Sequence, residues 1–124
     1  MLALDAGGWC NGMLLRIPAS KVRSELMLLW RREMSWGTYH ARWVTARVGP
    51  AQIQALTFVV NRRHERYLKA LPLNESVRLI NSGKGSLGTC RAYFDATVQK
   101  LGELGELGIR DRRMEALHAA VRNG

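Results

Sequence analysis

Glu33 is the only carboxylate in the stretch LWRREMSWGTYHARW, residues 29–43, where arginines, tryptophans, a tyrosine and a histidine surround it. A carboxyl group can both give and take a proton, so its orientation decides whether it does chemistry. After the break at Pro18, Ser20 is placed to cap a helix, and apolar residues then recur at helical intervals to Met34 with no proline or glycine between. The spacing predicts a helix over 20–34. At about 100° per residue, Val22, Leu26 and Leu29 form a narrow stripe. Glu33 falls within it, while Arg31 points to the opposite side and Arg32 lies off it. An apolar face strips solvation from a carboxyl group and disfavours its ionised form, which suits a general acid/base near neutral pH. The alternative is plainer: the helix end frays and Glu33 swings out to Arg31, Arg32 or Arg42. A negative charge near a helix C-terminus is also mildly unfavourable. Spacing alone leaves both open.

Other chemistry is harder to find. Tyr39 and Tyr93 read as core or rim residues. His40, His64 and His118 are scattered, and no serine or cysteine has the setting of a nucleophile. SGKGSLG, residues 82–88, lacks the order of a phosphate-binding loop and reads as a connection. Cys10 and Cys90 have no metal-ligand spacing, so reduced thiols in a cytoplasm, and no metal site, are expected.

The net charge of +9 suits nucleic acid, an acidic membrane surface or an anionic small substrate. The arginines are spread as 31/32, 62/63 and 110/112/113 with no nucleic-acid-binding motif, so neither nucleic acid nor membrane is expected as a partner. LMLLW, residues 26–30, is the longest apolar run and falls far short of a membrane span. No secretory signal is read in MLALDAGGWC. A length of 124 residues fits one small domain.

The elements that must position Glu33 follow from pattern. GMLLRI, residues 12–17, reads as a short buried strand ended by Pro18. Residues 39–48 and 51–60 alternate about the turn signal Gly49-Pro50 and predict a β-hairpin. NRRHERYLKALP, residues 61–72, is polar and basic and reads as a mobile excursion with at most one helical turn. Asn74 can cap a helix to about Asn81, and Thr89 a second with Tyr93, Phe94, Val98 and Leu101 as its stripe. That helix should end within ELGELG, where Gly102, Gly105 and Gly108 lie three apart. Asp111 caps a last helix carrying Met114, Leu117 and Val121. Strand, helix, hairpin and then three helices make an α+β fold.

LALDAGGWCNGMLLRIP, LWRREM followed by GTYHARWV, ALTFVVNRRHERYL, and LGELGIRD followed by MEAL together resemble the ChaC-type glutathione-specific γ-glutamylcyclotransferases, in order and across nearly the whole chain. The resemblance implies a γ-glutamylcyclotransferase-like fold, a small mixed β-barrel with flanking helices. It also implies that Glu33 is the catalytic acid/base and that Tyr39 and Tyr93 line the pocket. The implied substrate is glutathione, whose α-amine closes on its own γ-carbonyl to give 5-oxoproline and cysteinylglycine, with no cofactor. Two departures stand out. Cys90 replaces a usual asparagine ahead of Tyr93. The family's opening strand and Tyr-Gly-Ser-Leu-type loop have no counterpart, because the Gly-Ser-Leu at 85–87 lies in a later loop. On this reading the chain is N-terminally truncated, and an exposed sheet edge invites self-association. A catalytically inactive relative serving as a binding or interaction module is the alternative.

Overall fold

A computed structural model describes residues 3–105 and 111–124, which form two compact units. One takes in residues 13–67 with the N-terminal segment through Trp9; the other takes in 68–124 with residues 10–12. The content is α+β: four α-helices and two small antiparallel sheets among the described residues.

In the first unit, Pro18 starts a 3-10 turn, Ala19–Lys21, closed by Lys21 N–H donating to the Pro18 carbonyl at 2.8 Å. Helix α1 follows at Val22–Met34. Ser20 therefore lies inside the turn rather than at the helix cap, because the backbone geometry set by proline begins the turn one step earlier. The helix runs unbroken to Met34, as its spacing predicts. Leu26, Leu29, Glu33 and Met34 form its less exposed side, while Val22, Met27, Leu28 and Trp30 are exposed.

Strands β1, Tyr39–Val48, and β2, Ala51–Val60, pair antiparallel from Tyr39 opposite Val60 to Val48 opposite Ala51. The two-residue loop works because Gly49 takes φ +57° at the first central position and proline supplies the negative φ at the second. The more covered residues gather at the open end of the hairpin, with Tyr39 only 9% exposed.

The strand expected at 12–17 does not form. Those residues have no strand partner, and Met13, Leu14 and Leu15 are exposed. The strand-like contact falls earlier, where Leu4 makes an isolated parallel bridge to Val59 and accepts from Val60 N–H at 2.8 Å. An apolar run becomes a strand only where a partner edge exists, and the open edge of β2 goes to Leu4.

In the second unit, α2 spans Leu73–Ser82, α3 Cys90–Gly105 and α4 Arg112–Asn123. Between α2 and α3, Lys84–Gly85 (β3) and Gly88–Thr89 (β4) form a miniature hairpin where only an irregular loop was expected. Thr89 caps α3, its Oγ1 accepting from Ala92 N–H at 3.1 Å. Asp111 caps α4, accepting from Arg113 and Met114 N–H at 3.0 and 3.1 Å. Asn74 does not cap α2. Pro72 holds that position and Asn74 lies in the first turn. Helix α3 is described through Gly105; the second ELG repeat, where its end was also expected, lies outside the described residues.

Phe94, 5% exposed, and Val121, 1% exposed, are the buried residues of this unit among those described. Arg91 ties its three helices: Nη1 donates to Asn81 Oδ1 on α2 and to the Val121 carbonyl on α4, both at 3.1 Å, and Nε pairs with Asp95 on α3 at 3.0 Å.

Candidate active site

Glu33 stands in the last turn of α1, where the helix gives way to the strand that begins with Tyr39. Its side chain is 20% exposed, and Oε1 accepts from Arg32 Nε at 2.7 Å. Both readings of its position are partly met. The helix does not fray and the carboxyl group stays on the less exposed side, yet it has an arginine partner.

The exit from α1 is built tightly. Gly37 N–H donates to the Met34 carbonyl at 3.3 Å, and Gly37 takes φ +66°, a left-handed conformation suited to glycine just past a helix end. Asn61, the first residue after β2, reaches back to this exit. Its N–H donates to the Thr38 carbonyl at 2.8 Å and its Nδ2 to the Gly37 carbonyl at 3.0 Å. The path from Glu33 to Tyr39 is thereby fixed by the residue that follows β2.

Residues 61–67 are not a loose excursion. Two turns follow one another, with His64 N–H donating to the Asn61 carbonyl at 3.0 Å and Tyr67 N–H to the His64 carbonyl at 2.9 Å. Within them His64 Nδ1 accepts from Arg66 N–H at 3.2 Å, and the Arg66 guanidinium lies over the Trp36 ring at 5.9 Å.

Asp5 fastens these turns to the N-terminal segment. Its Oδ1 accepts from Arg62 Nε at 2.7 Å and from Ala6 N–H at 2.8 Å, and its Oδ2 from the Tyr67 hydroxyl at 2.9 Å. Arg62 Nη2 also donates to the Ala6 carbonyl at 2.8 Å. The hydrogen bond from Arg62, helped by those from Tyr67 and Ala6, holds the Asp5 carboxyl below the usual carboxylate range. In turn the hydrogen bond to Asp5 pushes both the Arg62 guanidinium and the Tyr67 hydroxyl up.

Of the residues singled out in the sequence, Glu33 and Tyr39 share this unit, at the two ends of the α1–β1 connection. Tyr39 is buried there. Tyr93 belongs to the helical unit, on the first turns of α3, with its side chain 45% exposed. Cys90 opens that helix, its N–H donating to the Gly83 carbonyl at 2.8 Å. Asn61, Asp5 and Tyr67 escaped sequence reasoning, since their roles depend on partners 24 to 62 positions away.

A carboxyl group held at a defined place can take and give a proton. The family described as ChaC-like protein matches residues 1–124. The chain is 32% identical over 123 residues to the glutathione-specific gamma-glutamylcyclotransferase of Escherichia coli (strain K12), taking in 98% of this chain and 52% of that protein. It thus spans about half the length of the curated relative it matches. No solved structure matches it.

Proposed function

Because this chain belongs to the ChaC-like protein family, we propose that it acts as a γ-glutamylcyclotransferase, converting glutathione to 5-oxoproline and cysteinylglycine. The α-nitrogen of the γ-glutamyl group bonds to its own γ-carbonyl carbon, and the amide bond to cysteine breaks. One proton passes from the attacking nitrogen to the departing one, and water is not consumed. Because both reacting groups belong to one molecule, holding the substrate folded removes much of the barrier. What remains is proton transfer, and Glu33 is the group we assign to it.

The single observation that carries this reading is the placement of Glu33: a partly covered carboxyl group at the end of α1, on a connection held to Tyr39 by Asn61. Tyr39 and Tyr93 are assigned to substrate binding on the resemblance to the family. On this reading both units belong to one γ-glutamylcyclotransferase-like domain. The hairpin and its parallel neighbour at Leu4 are then part of that domain's small mixed barrel. The free thiols of Cys10 and Cys90 fit a reducing, cytoplasmic setting.

The test is 5-oxoproline release from glutathione by the 124-residue chain beside Glu33→Gln, with circular dichroism on both. Release by the parent and a loss of about a hundredfold or more in the folded variant supports the assignment. A folded parent that releases none sinks it and favours a binding role.

A further inference from the structure

The Arg32–Glu33 pair leaves most of its hydrogen-bonding capacity unused. One contact joins Arg32 Nε to Glu33 Oε1. Among the described residues, neither Nη group of Arg32 nor Oε2 of Glu33 has a partner. The other arginine–carboxylate pair of this unit is committed: Asp5 uses both oxygens, and Arg62 uses Nε and Nη2. Arg32 is also well exposed, its side chain at 73%, so its open fork can be reached from solvent while Glu33 stays covered.

A γ-glutamyl compound presents an α-amino acid head in which an ammonium and a carboxylate share one carbon. An adjacent carboxylate and guanidinium match that head group for group. The ammonium goes to the carboxylate, and the substrate carboxylate goes to the planar guanidinium fork, which takes two oxygens at once. Resting on the cyclotransferase reading above, we propose that Arg32 is a substrate-binding residue. Its Nη groups hold the α-carboxylate of the γ-glutamyl head, which brings the α-nitrogen to Oε2 of Glu33. The Nε contact to Oε1 stays in place and keeps the two recognition groups at a fixed separation. The site then selects compounds with a free α-amino acid head and reads the α-carboxylate directly.

The experiment compares glutathione with γ-aminobutyryl-cysteinylglycine, which lacks only the α-carboxylate and closes to the plain lactam. Lactam release is measured for the parent, Arg32→Met and Arg32→Lys, with circular dichroism confirming that each is folded. For the parent, removing the carboxylate is expected to lower kcat/KM by about tenfold, largely through KM, the lower end for a charge-assisted bond at an exposed group. Arg32→Met should lower kcat/KM for glutathione by about tenfold more than for the analogue, since both substrates lose the Nε contact to Glu33 but only glutathione has a carboxylate for Arg32 to hold. Arg32→Lys should recover part of the loss, because it keeps the charge without the fork. Equal losses on both substrates, or no loss on either, overturn the proposal.

A parent that forms no lactam defeats the cyclotransferase reading instead, and glutathione binding by calorimetry then tests Arg32 alone. Weaker binding by Arg32→Met supports its role. Equal binding, or none by the parent, overturns it.

Discussion

Asn61 Nδ2 donates to the Gly37 carbonyl at 3.0 Å, so a side chain at the end of β2 holds the turn by which the chain leaves α1 and enters β1. Its Oδ1 accepts from Arg63 N–H at 3.0 Å, and its own N–H and carbonyl are bonded to Thr38 and His64. Replacing Asn61 with alanine removes the two side-chain bonds. With each worth about 1 kcal/mol net, the variant should lose roughly 1–2 kcal/mol in urea unfolding. Asn61→Asp keeps the acceptor and loses the donor, and should fall between. An alanine variant that unfolds at the parent's midpoint would show that the staple contributes nothing.

Asp5 gives the fold an acid-sensitive fastening. Its carboxyl is held below the usual carboxylate range chiefly by the Arg62 hydrogen bond, so the folded state binds that proton less readily than the unfolded one. The stabilisation is fully present above the unfolded value and is lost as pH falls through the lower folded value. Tyr67 sets the other limit. Its folded value is raised above 10.0, so its share is present below pH 10 and is lost as pH climbs through the folded value. Urea midpoints across pH should therefore fall at both extremes for the parent. Asp5→Asn should have a flatter acid limb, and an identical limb would count against the fastening.

The side chain of Asp111 meets two N–H groups at the start of α4, from Arg113 and Met114. Asp111→Ala should cost about 1 kcal/mol, the usual loss for an N-cap. Asp111→Asn should recover most of it, because an amide oxygen accepts the same bonds. Thermal unfolding of the three chains side by side checks this, and failure of the asparagine variant to recover would assign the loss to charge rather than capping.

Gly83 sits where α2 ends and the miniature hairpin begins. A methyl group there would lie 2.8 Å from the Leu79 carbonyl oxygen and 3.0 Å from Cys90 Cβ. The backbone φ is an ordinary −69°, so the penalty is crowding rather than conformation. Neither neighbour is the far end of a flexible side chain, and Gly83→Ala should destabilise by roughly 1–3 kcal/mol. A melting temperature equal to the parent's would mean that α2 and α3 part without cost.

The elements legible in the sequence are those whose causes are local. The hairpin was readable because the Gly49-Pro50 turn and the flanking alternation lie within 22 residues, 39–60. Thr89 and Asp111 cap N–H groups two or three residues onward. Residues 12–17 misled because an apolar run does not reveal whether an edge awaits it, and that of β2 is met by Leu4. Residues 61–67 misled for the same reason in reverse: a polar stretch is ordered by an acid far upstream. At Glu33, helical spacing placed the residue on its stripe. Arg32 was one of three partners named for a frayed helix end, and the contact forms with the helix intact, because spacing does not choose between a side chain that turns inward and one that pairs with its neighbour.

The Asp5–Arg62 contact closes a loop of 57 positions, whereas the hairpin turns back through two residues. Loop-closure entropy is paid before a distant contact repays it, so the hairpin forms early and the amino-terminal segment docks onto finished structure. On the ribosome this segment waits while some sixty further residues are made. A segment made before its partners is fixed after them, and removing Asp5 should therefore speed unfolding while leaving the refolding rate almost untouched.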